Sequence, residues 1–133
     1  MKDRLPFLLR QRGGVLVHAR IEVMFHEDEK VGAPIDLGLA FKHGPHFVVS
    51  CKGDGDVLVT TGVAGEIQPP PDTTILVRDI EGLTGVTLLE VVPGNGSLVL
   101  KLSNGTATIT NAADELVVRL NGRPLDERLF RRF

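Results

Sequence analysis

Residues 15–25, VLVHARIEVMF, alternate between apolar and polar side chains with a period of two. The apolar positions are Val15, Val17, Ala19, Ile21, Val23 and Phe25, and the even positions include His18, Arg20 and Glu22. Successive side chains of a strand point to opposite faces, so this pattern predicts a long strand with one buried and one solvated face. The same alternation recurs in Leu37-Leu39-Phe41 and in Leu98-Leu100-Leu102.

Turn-forming residues separate these apolar runs throughout the chain. They recur about every eight to twelve residues, among them Gly13-Gly14, His43-Gly44-Pro45, Gly53-Asp54-Gly55, Asn104-Gly105 and Asn121-Gly122. Short strands at this spacing are typical of antiparallel sandwiches and barrels. We therefore predict one all-β domain over residues 1–133, an antiparallel β-sandwich or barrel, and the pattern does not distinguish the two.

Two parts of the chain resemble each other. Residues 35–49, IDLGLAFKHGPHFVV, match residues 96–110, GSLVLKLSNGTATIT, with Leu37 on Leu98, Leu39 on Leu100, Phe41 on Leu102, Gly44 on Gly105 and Val48 on Ile109. Weaker echoes pair 8–11 with 76–79, 14–23 with 85–91, and 56–62 with 115–122. The order of the matches predicts two meander units, about 5–62 and 73–122, a linker at 63–72 and a tail at 123–133. We expect a pseudo-two-fold axis between the units; the alternative is chance similarity between two meanders.

The stretch that carries Leu37, Leu39, Phe41, Gly44, Phe47 and Val49, followed by GDGD at 53–56, resembles small bacterial all-β proteins. Some of these look like immunity proteins of contact-dependent toxin systems. The resemblance covers roughly residues 14–60 and again 85–120, and its motifs are strand and turn residues. It implies a binding protein and not an enzyme, and it assigns no functional residue.

Composition narrows the classes of function. The chain has six Phe and neither Trp nor Tyr, and its net charge is −2, which disfavours carbohydrate binding and nucleic-acid binding. No apolar run approaches the roughly 20 residues that span a bilayer, and the start is too polar for a secretory signal. The single Cys51 fits a reducing compartment. We expect a cytoplasmic protein that does not bind membranes.

Charge is concentrated at the two ends. Residues 1–20 carry five basic side chains and one acidic side chain, and residues 119–133 carry five basic and two acidic side chains. The middle, residues 21–118, carries five basic and fourteen acidic side chains. The ends therefore either fold back across an acidic body or meet an acidic partner or a second copy. We predict an edge strand around Leu5, Phe7 and Leu9, and a short C-terminal helix that begins near Pro124. The partner-binding candidates are Phe7, Arg10, Arg12, Arg128, Phe130, Arg131, Arg132 and Phe133.

Residues with catalytic or metal-binding chemistry form no recognised motif. His43, His46, Asp54 and Asp56 are the alternative ligand set, but their spacing fits no established site, so we expect no metal and no cofactor. His18, Arg20, Glu22 and His26 share one strand face and are the candidate polar pocket. Cys51 is expected to be buried and unreactive.

The function predicted is a non-enzymatic protein-binding module whose partner is another protein or a second copy of itself. A structural homo-oligomer is the first alternative. A ligand-binding barrel or enzyme that uses the surface histidines is the second.

Overall fold

The computed structural model describes residues 3–51, 55–62 and 71–132, and the regular structure in this part of the chain is mostly antiparallel β-strand. The strands are β1 (Leu16–His26), β2 (Glu29–Lys30), β3 (Asp36–Phe41), β4 (His46–Cys51), β5 (Val57–Thr61), β6 (Thr73–Asp79), β7 (Leu88–Gly94), β8 (Ser97–Leu102), β9 (Gly105–Ala112), β10 (Glu115–Leu120) and β11 (Arg123–Pro124). A short helix, α1 (Leu5–Leu9), precedes them, and a 3₁₀ helix (Glu127–Phe130) follows. The predicted all-β class is confirmed.

The strands form two antiparallel sheets. The first has the order β2-β1-β3-β4-β5, with β6 paired to the other side of β1, and the second has the order β11-β10-β9-β8-β7. Backbone hydrogen bonds from Gly13 to Leu88, from Leu16 to Val86 and from Gly85 to Leu16 connect the start of β1 to the start of β7. The two sheets therefore pack as a sandwich that is joined along one corner.

One hydrophobic core lies between the sheets. The first sheet contributes Ile21, Phe25, Leu37, Leu39, Phe47 and Val49, and the second contributes Leu88, Leu98, Leu100 and Ile109, all buried in a single cluster. Phe41 and Phe47 meet edge to face with ring centroids 5.9 Å apart. The predicted alternation is confirmed for Leu98-Leu100-Leu102 in β8. Leu37, Leu39 and Phe41 are buried as predicted, but Gly38 and Ala40 between them are buried as well, so β3 does not alternate between buried and exposed residues.

A β-bulge changes the alternation at the start of β1. The register with β3 shifts between Leu16 and His18, so Leu16 is 1% exposed and Val17 is 45% exposed. The sequence pattern placed Val17 on the buried face, which is wrong. A bulge adds one residue to a strand and so reverses the face of every residue before it.

The predicted N-terminal edge strand is also wrong, because residues 5–9 form α1. Pro6 occupies the first turn of the helix, where its missing N–H costs nothing, and the Asp3 carboxylate accepts a hydrogen bond from the Leu5 N–H at 3.0 Å. Leu8 is fully buried, whereas Phe7 and Leu9 are about 40% exposed. In the described residues, no helix is both long and apolar enough to cross a membrane.

The C-terminal helix is shorter than predicted and begins later. Pro124 lies in β11, paired with Arg119, and the helix that follows is a single 3₁₀ turn capped by the Asp126 carboxylate, which accepts from the Arg128 N–H. Leu125 is nevertheless buried, and Leu129 and Phe130 pack against the core. The tail therefore covers the side of the sandwich between β6 and β10, as its apolar residues required.

Strand order parallels the predicted repeat only in part. β1-β3-β4-β5 and β7-β8-β9-β10 each form a meander, but β6, placed in the second unit, pairs with β1 of the first sheet. Residues 8–11, predicted to match β6, fall at the end of α1. Val48 is half-buried, whereas its predicted counterpart Ile109 is fully buried. The hairpin after β3 is longer than the one after β8, so the two residues do not occupy equivalent positions in their sheets. The pseudo-two-fold axis stays a prediction.

Candidate functional site

The first candidate surface is the outer face of α1. The helix lies against β5, where the Arg4 N–H donates a hydrogen bond to the Val59 carbonyl at 2.6 Å. Its inner side is anchored by Leu8, which is 0% exposed, so the orientation of the helix on the body is fixed by burial. Phe7 and Leu9 consequently point away from the core, 40% and 41% exposed.

Two arginines flank the exposed ring of Phe7. The guanidinium carbons of Arg4 and Arg10 lie 5.4 and 5.3 Å from the ring centroid, close enough for each to make a cation–π contact. Among the ion pairs of the described residues, none includes Arg4, Arg10 or Arg12. We call Arg4, Phe7, Leu9, Arg10 and Arg12 the N-terminal patch. It combines exposed apolar area with three positive charges that have no carboxylate partner in the described chain.

The arginines of the tail are in a different state. Arg128 pairs with Asp126 at 2.6 Å, and Arg131 pairs with Glu127 at 3.4 Å. The hydrogen bonds from Arg128 hold the pKa of Asp126 at about 2, below its ordinary value of 3.8. Arg128 and Arg131 therefore have carboxylate partners within the tail, whereas Arg119 and Arg123 have none among the ion pairs of the described residues.

The end of the tail is tied to the turn after β1. Arg132 donates a hydrogen bond to the Glu27 carbonyl and lies 3.9 Å from the Asp28 carboxylate, and the ammonium of Lys30 lies 5.0 Å from the Phe130 ring centroid. Of the predicted partner-binding residues, Phe133 lies outside the described residues. The tail therefore folds back across the body of the protein, which is the first of the two arrangements expected for the basic ends.

The four residues of the predicted polar pocket do not converge. Arg20 forms an ion pair with Asp79 of β6 at 2.7 Å, and the Nδ1 atom of His26 lies 3.1 Å from the Asp72 carbonyl oxygen. Side chains two apart on a strand are about 7 Å apart, so the four form a row and not a cavity. Two grooves of about 420 and 470 Å³ flank Leu125, and within the part of the chain described here none of the four lines either groove.

Glu22 is the exception on this face, because it is buried. It is 1% exposed, and neither carboxylate oxygen has a hydrogen-bond partner in the described structure. Leu37 of β3 pairs with Ile21, which places Asp36 beside Glu22. Burial, and then the negative charge of Asp36, raise the pKa of Glu22 from 4.5 to about 7. A carboxyl enclosed in this way has no access to a substrate, so we assign it no catalytic role.

The alternative metal ligands are also dispersed. His46 lies on the outer face of β4, and its nearest aromatic neighbour is His18 of β1, a contact that the sequence did not indicate. Asp56 lies in the turn before β5, where its carbonyl accepts a hydrogen bond from Asn111 at 2.7 Å. Asp54 lies outside the described residues, and the residues that are described contain no cluster of three His, Cys, Asp or Glu side chains.

Cys51 lies at the end of β4 and is half-buried, less enclosed than predicted. Its thiol is 3.8 Å from the Thr110 carbonyl oxygen, and burial raises the pKa of the thiol above its ordinary value. The thiolate needed for nucleophilic chemistry is therefore disfavoured.

Comparison with known proteins identifies no relative. No protein-family model, no curated protein and no solved structure matches this chain.

Proposed function

We propose that the protein is a non-enzymatic protein-binding module and that the N-terminal patch is its contact surface. The observation that carries this proposal is the position of arginines without a carboxylate partner beside the exposed ring of Phe7. The tail arginines Arg128 and Arg131 have carboxylate partners in their own chain, whereas Arg4, Arg10 and Arg12 have none among the described ion pairs. Free positive charge beside exposed apolar area is available to a partner.

The chemistry of the patch indicates the kind of partner it would fit. Aromatic and arginine side chains are enriched at the centres of protein interfaces, where a few of them provide most of the binding energy. Phe7 is held between two guanidinium groups on a helix that is anchored to the core, so little side-chain freedom remains to be lost on binding. The partner would present carboxylates around an apolar depression that accepts the Phe7 ring.

The wider setting of this function follows from the sequence. The resemblance to immunity-like β-proteins supports binding in place of catalysis, and the single cysteine supports a reducing compartment such as the cytoplasm. No cofactor is required by this function.

Capture experiments with matched variants test the proposal. The complete chain is immobilised and exposed to native lysate of the source organism, alongside the double variant Phe7→Ala/Arg10→Glu and the tail variant Arg131→Glu. Arg131 is an exposed arginine at the other end of the chain, so it controls for the loss of positive charge alone. We expect the same acidic protein to be enriched by the wild type and by Arg131→Glu and to be lost with the double variant. Equal capture by all three proteins would contradict the proposal.

A second copy of the chain is the alternative occupant of the patch, since its middle segment is acidic. Light scattering at tens of micromolar separates the two. If the wild type is a dimer and the double variant is a monomer, the patch is a homo-oligomer interface and not a surface for a different protein. If the wild type is a monomer, the patch remains available to a different protein, as proposed.

A further inference from the structure

His18 and His46 come together on the outer face of the first sheet although β3 lies between their strands. The register pairs His18 with Ala40, and Ala40 with His46, so the three residues form one row across β1, β3 and β4. The methyl group of Ala40 leaves the space above it open. The two imidazoles lean over it, with ring centroids 6.3 Å apart and an interplanar angle of 81°.

A small cavity lies beside the two rings. It measures about 30 Å³, opens to solvent, and is lined by His18, Arg20, Ala40 and His46 together with Gly38 and Gly62. A pocket of this size has room for a metal ion or a water molecule.

His18 has an unsatisfied ring nitrogen beside this pocket. Its Nδ1 atom is buried without a hydrogen bond in the described structure, and a bound ion would supply the missing partner. The charge of Arg20, which would repel a cation, is compensated by Asp79 at 2.7 Å.

From this arrangement we propose that His18 and His46 form a two-imidazole site for a divalent transition ion, with water in the remaining coordination positions. Imidazole–metal bonds of about 2.0–2.1 Å place each ring centroid about 3.2 Å from the ion, so two rings that share an ion have centroids at most about 6.4 Å apart. The observed 6.3 Å lies at this limit, and rotation of the exposed His46 shortens it. Cu²⁺ binds such nitrogen ligands most tightly, followed by Ni²⁺ and Zn²⁺.

Titration calorimetry of the untagged protein with Cu²⁺ alone, and then with Zn²⁺ alone, tests the site at pH 7.5. We expect one ion per chain, tighter binding of Cu²⁺ than of Zn²⁺, and affinity about tenfold or more weaker in His18→Ala and in His46→Ala. The other two histidines provide matched controls, because His26→Ala and His43→Ala should remain within about twofold of the wild type. Binding should also weaken at pH 5.5, where protons compete for the ring nitrogens.

The proposal is overturned if the wild type binds neither ion, or if the His18 and His46 variants bind as the wild type does. Equal losses in His26→Ala or His43→Ala would also overturn it, since they would place the ion elsewhere. Because His46 is exposed, His46→Ala should fold normally, and circular dichroism and the unfolding temperature of each variant verify this. The visible absorption of bound Cu²⁺ shifts with the number of nitrogen ligands and is expected to differ from that of the wild type in both variants.

Discussion

Glu22 should make the stability of this protein fall as the pH rises through neutrality. In the unfolded chain the carboxyl has its ordinary pKa of 4.5, and in the folded chain burial raises the pKa to about 7. Between these values the folded state holds a proton that the unfolded state has lost, so the free energy of unfolding decreases with pH and levels off above about pH 8. Below about pH 4.5 both states are protonated and the carboxyl costs nothing.

The size of the effect follows from the two pKa values. They differ by about 2.5, and at about 1.36 kcal/mol per pKa unit this corresponds to about 3 kcal/mol. Water that enters beside the ionised carboxylate would reduce the cost, so we expect a loss of about 2–3 kcal/mol between pH 5 and pH 8. Domains of this size have free energies of unfolding of about 5–15 kcal/mol, so the loss is a large share of the total stability.

Urea unfolding at pH 5, 6, 7 and 8 measures this loss. Glu22→Gln removes this titrating group, so its unfolding midpoint should not fall over this range, whereas that of the wild type falls. The exposed Glu115 provides a control, and Glu115→Gln should follow the wild type. In Asp36→Asn the fall should move to lower pH, because a charge that raises the pKa of Glu22 is gone. If the wild type and Glu22→Gln change in parallel, the reasoning about Glu22 is refuted.

Four further predictions concern the fold. Leu8→Ala should cost about 2–5 kcal/mol in urea unfolding and Leu9→Ala less than about 1, because only Leu8 is buried in α1; equal costs would contradict the helix. Phe47→Ala should cost about 3–5 kcal/mol by the same measurement, and a smaller value would place the core elsewhere. Asn121→Ala should lower the free energy of unfolding by about 1–2 kcal/mol, because Asn121 has a φ of 53° and accepts a hydrogen bond from the Thr106 N–H; a neutral result would argue against this turn. Cys51 should react with a disulfide reagent markedly more slowly in the folded protein than in urea, and equal rates would show that it is accessible.

The architecture was predictable because strand periodicity is a local property. Alternation at Leu37-Leu39-Phe41 and Leu98-Leu100-Leu102 depends only on which side chains need burial, and all six are buried. Between two such runs, turn residues are sufficient to indicate an antiparallel hairpin. The class of fold therefore followed from the sequence.

Three features of the fold depend on contacts that a local pattern does not contain. The bulge near Val17 forms where β1 pairs with β3. The strand β6 pairs with the edge of β1 that β3 leaves open. Leu5, Phe7 and Leu9 have the spacing of a strand, but Leu8 finds burial against the body, and this decides in favour of α1. In each case tertiary packing overrides the local preference.

The candidate sites were less predictable than the fold. Periodicity placed Glu22 on a solvated face, and only the neighbouring strands enclose it. His18 and His46 are far apart in the sequence, and their contact depends on the register through Ala40. The sequence did indicate that one or both basic ends would be important, because it showed an excess of charge at each. Which arginines stay without a carboxylate partner depends on ion pairs that form only in the folded chain.

Site-specific photo-crosslinking measures whether the N-terminal patch contacts a partner protein. A photoreactive phenylalanine derivative replaces Leu9, which is 41% exposed and lies two residues after Phe7 in α1, and in a second protein it replaces the tail residue Arg131. After irradiation in native lysate, the account predicts a discrete adduct with one acidic protein from position 9, none from position 131, and loss of the adduct when Arg10→Glu is added. No adduct from position 9, or the same adduct from both positions, would contradict it.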